Sequence, residues 1–255
     1  MTPTQPALVG HRGAAALDPE NTLRSFRRGV SEGSALLECD VHLRAGGQDV
    51  IIHDATLDRT AQADSPLRTG AVAELTRGQL DRVLVGEGEH IPTLAEALDV
   101  AVREDGTRVP LLVEIKAPGA VERVLEVLAE EFGDGEAEAW ADPSAAPAVL
   151  LSFHEEPLRH ALEVAPWIPR MRTTTATSPE WWDSCRDLGV AHVGVRIADA
   201  RQADVERAAE LGAALNLWTA RTDEELERAL ELGCDTITVD DPVWAAALIA
   251  KPLPA

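Results

Sequence analysis

Apolar positions along the chain follow two alternating rhythms. Short, nearly continuous apolar runs occur at 7–10, 35–41, 49–53, 110–116, 148–153, 167–171, 190–195, 214–218 and 236–239. Such runs suit strands buried on both faces. Between them apolar residues recur three and four apart: Leu23, Phe26 and Val30, then Leu94, Ala97, Leu98 and Ala101, then Val121, Val124, Leu125, Leu128 and Phe132. This spacing places each set on one face of a helix. Helix starts are marked locally by Thr93 with Glu96, by Ser178 before Pro179, by Thr222 with Glu225 and by Pro242. A side-chain oxygen or a proline satisfies the first turn at such positions.

The count comes to about eight strand-then-helix units in 255 residues. The predicted fold is therefore α/β, a single (β/α)₈ TIM barrel over 1–255 with a small insertion after the second strand region. A doubly wound open sheet shares the alternation and is the alternative. Two stretches break the rhythm. Residues 54–92 leave the carboxyl end of the 49–53 run, the face where barrel active sites lie, and are expected to shape a substrate pocket. Residues 133–147 join a helix to a strand at the opposite face and are expected to form a mobile surface loop without a catalytic part.

Charge narrows the partners. With 23 Lys and Arg against 44 Asp and Glu, the net charge is −21. Such a surface repels nucleic acid and anionic membranes, so neither is an expected partner. Nowhere do 18 apolar residues run together, so membrane insertion is not expected. The N-terminus lacks a basic stretch and a long apolar core, so no secretory signal is expected, and the sparse cysteine makes a cytoplasmic setting the expectation. Three cysteines without CxxC spacing argue against a disulfide framework and structural zinc.

Charged residues at strand ends carry the chemistry. Glu38 and Asp40 lie two apart in one apolar run and Glu114 and Lys116 in another, so each pair faces one side of its strand. A buried charge costs several kcal/mol unless it is paired or bound to metal. Three carboxylates, Glu38, Asp40 and Glu114, offer only oxygen ligands and suit one divalent cation, Ca²⁺ or Mg²⁺. His11 and His53 end two further runs. With ordinary pKa values near 6.5, they suit general acid and base work. Arg12 offers a fork for phosphate and Lys116 a point charge. Three carboxylates against a divalent cation, Arg12 and Lys116 leave one positive charge, which a phosphodiester monoanion cancels. The parts describe metal-assisted phosphoryl transfer on a small molecule. His42 shares the face of Glu38 and Asp40, as a further ligand or as a strand-end polar residue. Cys39 alternates to the other face and is expected in the core.

HRG at 11–13, PENT at 19–22, ECDV at 38–41, HD at 53–54, PTL at 92–94, EIK at 114–116, SF at 152–153, WT at 218–219 and DDP at 240–242 occur in this order. Together they resemble the glycerophosphodiester phosphodiesterase family over nearly the whole chain. The resemblance implies a barrel hydrolase of lipid and glycerol metabolism that cleaves a glycerophosphodiester substrate to an alcohol and glycerol 3-phosphate. It implies metal binding by Glu38, Asp40 and Glu114, acid–base roles for His11 and His53, phosphate contacts from Arg12 and Lys116, and Trp218 beside the pocket. It further implies attack by the substrate's own 2-hydroxyl through a cyclic phosphate. The chain departs from the family at Arg44–Gly47, where an Asp-Gly pair is usual, and at Arg221, where an Asn often stands. Two other readings use the same residues: a phospholipase D-like enzyme acting on lysolipids or sphingolipids, and a non-catalytic barrel that binds phosphate compounds. The head group, the choice of cation and the oligomeric state are left open at this level.

Overall fold

A computed structural model describes residues 5–135, 138–140 and 145–250. Among the described residues nine strands form one sheet: β1 (Ala7–Gly10), β2 (Leu36–Leu43), β3 (Asp49–Ile51), β4 (Leu111–Ile115), β5 (Ala148–Ser152), β6 (Arg170–Thr174), β7 (His192–Arg196), β8 (Ala214–Ala220) and β9 (Thr236–Val239). All neighbours pair in parallel except β2 with β3, and β1 pairs with both β2 and β9, which closes the barrel. Eight strands make up the wall. The helices are α1 (Leu23–Ser31), α2 (Arg77–Leu80), α3 (Leu94–Val100), α4 (Val121–Phe132), α5 (Glu155–Val164), α6 (Pro179–Asp187), α7 (Gln202–Leu211), α8 (Asp223–Leu232) and α9 (Pro242–Ile249).

Strand alternation divides the side chains into two layers. On β2 and β4 the odd residues Leu37, Cys39, Val41, Leu111, Val113 and Ile115 join the large outer core beneath the helices. The even residues point into the barrel, where Leu112 meets Val9, Val149, Leu151 and Met171. Cys39 is fully buried in the outer core, as its alternation predicts. The sequence-marked starts cap their helices: Thr93 accepts from the Glu96 N–H, Ser178 from Trp181 and Thr222 from Glu225.

Three segments differ from the sequence reading. The 49–53 run is no wall strand. β2 overshoots the barrel mouth, turns at 44–48, and β3 returns antiparallel along it, with Val41 opposite Ile51. Strand ordering in a sheet rests on non-local hydrogen bonds, which an apolar run alone does not specify. The 167–171 run starts its ladder later, at Arg170, because Pro169 has no N–H to donate and only its carbonyl is used, by Leu150. The loop expected at 133–147 is anchored where it is described: Trp140 is buried, meets Phe132 edge to face at 5.9 Å and donates its Nε1–H to the Gly133 carbonyl at 3.1 Å. Residues 136–137 and 141–144 of that loop lie outside the described residues. Residues 54–92 build a small core of their own, in which Leu57, Val72, Leu75, Leu80, Val83 and Val85 pack with Val50 and Ile52.

Candidate active site

The turn after β1 is built to hold a basic residue over the barrel. Gly10 and Gly13 let two backbones nearly touch: a Cβ on Gly13, whose φ is +91°, would stand 2.5 Å from Ser25. Between them Arg12 adopts a left-handed φ of 51°. That conformation costs a non-glycine residue on the order of 1–3 kcal/mol. It turns the Arg12 N–H onto Glu38 Oε2 at 2.9 Å and the guanidinium toward Asp40, 3.1 Å away, and Glu20, 2.8 Å away.

Register places Asp40 of β2 directly beside Glu114 of β4, with Glu38 one inward position below Asp40. One oxygen from each of Glu38, Asp40 and Glu114 lies within 4.8 Å of the others. Lys116 Nζ reaches Glu114 at 2.9 Å and Asp40 at 3.6 Å. Asn21 donates from Nδ2 to Asp40 Oδ2 at 2.8 Å. Burial, with Asp40 and Glu114 nearby, pushes the Glu38 carboxyl well above the usual range. Burial and Asp40 raise Glu114 to about 7 despite Lys116. Burial acts on Asp40 as well, but Arg12 and Lys116 outweigh it and hold that carboxyl below its ordinary value. Glu38 Oε1 is buried without a partner among the described residues. An all-oxygen cluster with an unsatisfied buried oxygen fits a hard divalent cation.

Both sequence-predicted histidines reach this mouth, each backed by an aspartate. His11 Nδ1 meets Asp240 Oδ1 at 2.5 Å, and Arg221 Nε donates to Asp240 Oδ2 at 2.5 Å. His53 Nδ1 meets Asp54 Oδ1 at 2.6 Å, and Arg59 Nε donates to Asp54 Oδ2 at 2.6 Å. An aspartate accepting at Nδ1 leaves Nε2 as the free atom of the ring. Burial lowers the His53 pKa, against the pull of Asp40 and Asp54. The hydrogen bond from Arg59 takes Asp54 down to about 2. His42 is not in the carboxylate cluster; its Nε2 pairs with the His53 carbonyl at 3.1 Å.

A cavity of ≈ 210 Å³ joins these groups. His11, Arg12, Glu38, His53, Glu114 and Lys116 line its polar side, and Trp218, Phe153, Leu151 and Met171 its apolar side. Trp218 packs edge to face on Phe153 at 5.4 Å, and its Nε1 is buried with no partner among the described residues. Arg221 also lines the cavity. His90 and His160 lie elsewhere, on the Val83 carbonyl and on Glu122. Sequence reasoning assigned no role to Asn21, Glu20, Asp54 or Asp240, although PENT, HD and DDP contain them. Arg59 gave no signal at all, because its partners are 5 and 39 residues away.

Residues 11–243 match the glycerophosphoryl diester phosphodiesterase family. A glycerophosphodiester phosphodiesterase of Caldanaerobacter subterraneus is 27% identical, covering 96% of this chain and 98% of that one. A Mycobacterium tuberculosis protein named probable glycerophosphodiester phosphodiesterase 1 is 31% identical, covering 93% and 90%. Among solved structures, an Oleispira antarctica phosphodiesterase in complex with the product sn-glycerol-3-phosphate superposes with a TM-score of 0.82 at 24% identity, covering 96% and 97%. A glycerophosphodiester phosphodiesterase from Agrobacterium tumefaciens does so with 0.74 at 24% identity, covering 95% and 100%.

Proposed function

The chain belongs to the glycerophosphoryl diester phosphodiesterase family, and we propose that it hydrolyses glycerophosphodiesters to an alcohol and glycerol 3-phosphate with the help of one divalent cation. What carries the reading is the juxtaposition, in one cavity, of a three-carboxylate cluster and two histidines whose Nδ1 atoms are both held by aspartates. In this reading Glu38, Asp40 and Glu114 hold the cation, Ca²⁺ or Mg²⁺. When bound, the cation would acidify a substrate hydroxyl and draw charge from a phosphate oxygen.

The chain's own groups supply the rest. Arg12 and Lys116 neutralise the phosphate; both line the cavity and already sit between carboxylates. One histidine takes the proton of the glycerol 2-hydroxyl as that oxygen attacks phosphorus, and the other protonates the departing alcohol. They exchange roles when water opens the cyclic phosphate. Internal attack is favoured physically because a tethered nucleophile acts at an effective molarity of up to about 10⁵–10⁸ M. Trp218 walls the glycerol side, and its Nε1–H, which has no partner among the described residues, is available to an oxygen. Residues 54–92 flank the mouth through Arg59 and belong, in this reading, to the same catalytic domain as the barrel. No helix among the described residues is long and apolar enough to cross a membrane.

The test is release of glycerol 3-phosphate from glycerophosphodiesters with different head groups, before and after exhaustive chelation. Turnover that stops on chelation and returns with Ca²⁺ or Mg²⁺ is expected. Undiminished turnover without a cation would reject the metal site. Binding without turnover would favour a phosphate-binding barrel, and turnover of lysolipids alone the phospholipase D-like chemistry.

A further inference from the structure

The two histidine–aspartate pairs differ in what holds the aspartate. Arg221, behind Asp240, makes one side-chain hydrogen bond among the described residues, through Nε. Arg59, behind Asp54, makes three: Nε to Asp54 Oδ2 at 2.6 Å, and a fork of two, at 2.7 and 2.8 Å, onto both oxygens of Glu20. Glu20 Oε1 in turn accepts from Arg12 at 2.8 Å. A single chain of charged hydrogen bonds therefore runs His53–Asp54–Arg59–Glu20–Arg12. Its middle member comes from the 54–92 segment, and its two ends line the cavity.

We infer that Arg59 is a positioning residue for hydrolysis, one that fixes His53 and Arg12 at once. This rests on the function proposed above. The rigid guanidinium of Arg59 holds Asp54 through Nε and both oxygens of Glu20 through its two terminal nitrogens, a fixed relative geometry that a single rotatable ammonium does not impose. Asp54, anchored on its outer oxygen, presents its inner oxygen to His53 Nδ1, so the ring cannot swing. Glu20, shared between two guanidiniums, neutralises Arg12 only partly and leaves it charge for the phosphate. Without Arg59, Asp54 would be free to rotate away from His53, Glu20 would pair with Arg12 alone, and the mouth would carry one more uncompensated negative charge toward an anionic substrate. Arg59 never touches the substrate in this scheme. It acts through the two groups that do.

The experiment is chemical rescue. Arg59 is half-exposed, so a small cation can enter the space its guanidinium leaves. Arg59→Ala is expected to lower kcat by about 10–10²-fold, the cost of slight misalignment, and to raise KM. Millimolar guanidinium chloride should restore turnover saturably, while sodium chloride at equal ionic strength should not. Arg59→Ala combined with Asp54→Asn should lose much less than the product of the single losses. If Arg59→Ala does not fold, Arg59→Lys takes its place and must still lose kcat, because a single ammonium nitrogen cannot reproduce contacts made by three separate guanidinium nitrogens to Asp54 and both oxygens of Glu20. The inference is overturned if wild-type protein turns over and Arg59→Ala matches it. It is equally overturned if the loss is not rescued by guanidinium and multiplies with that of Asp54→Asn. Inactive wild-type protein would instead refute the function itself.

Discussion

Replacing Glu114 with Gln separates the two demands on the carboxylate cluster, because folding and cation binding should respond with opposite sign. Glu114 is buried beside Asp40, and its pKa stands at about 7 against an ordinary 4.5. Between those values the native, cation-free protein holds the proton more tightly than the unfolded chain. This group's contribution is therefore favourable below pH 4.5 and is lost as pH rises through 7. At 1.36 kcal/mol per pKa unit, the destabilisation reaches on the order of 3 kcal/mol at pH 8 and stays below about 1 kcal/mol at pH 5. The attraction of Lys116, 2.9 Å away, is already contained in that net value. A glutamine keeps the shape and never ionises. In EDTA at pH 8, Glu114→Gln should accordingly be more stable than wild type by a margin of that order, shrinking at pH 5. With cation present most of that gap should close: wild type gains about 2.7 kcal/mol at a cation concentration 100 times Kd, and the variant gains little. Urea unfolding followed by tryptophan fluorescence, at both pH values with EDTA or with Ca²⁺ or Mg²⁺, measures all these differences. A variant no more stable than wild type in EDTA at pH 8, or one that keeps the full cation-induced shift, would refute the reasoning.

Four further outcomes are expected. Because Glu114, with Glu38 beside it, must shed its proton before it can bind a cation, apparent cation affinity should rise with pH through about 7; calorimetry should find protons released on binding at pH 6, and a flat profile would speak against these carboxylates as ligands. His11→Ala and His53→Ala should each lose about 10²–10⁴-fold in kcat with circular dichroism unchanged, whereas His192→Ala, at the start of β7, should stay close to wild type. A 2-deoxy glycerophosphodiester should bind but turn over at least about 10³-fold more slowly if the substrate's hydroxyl is the nucleophile; equal rates would assign the attack to water. Trp140→Ala should cost about 3–5 kcal/mol in unfolding experiments, since it removes a buried ring packed on Phe132; a cost near zero would mean the loop is not anchored there.

Much of the site was legible because it follows from strand alternation. Glu38 and Asp40, two apart on β2, necessarily face the same way, as do Glu114 and Lys116 about β4, and Cys39 necessarily faces the other way. Helix starts at Thr93, Ser178 and Thr222 were legible for a similar reason, since each cap closes a hydrogen bond only three residues along. The eight-unit barrel followed from counting such local elements.

What the chain alone determined is thus whatever depends on neighbours two to four residues away: element type, the facing of side chains, the chemical kinds of group delivered to strand ends. Only the tertiary structure decided what depends on closure. Asp240 meets His11 across 229 residues because β9 and β1 are adjacent in the closed wall. β3 folds back on β2 and so brings His53 to the mouth without joining the wall. Arg59 bridges Glu20 and Asp54 because that return also carries the 54–92 segment over the turn after β1. Pairings of this kind rest on a backbone that closes on itself. Local periodicity carries no record of which distant carboxylate will stand behind which histidine.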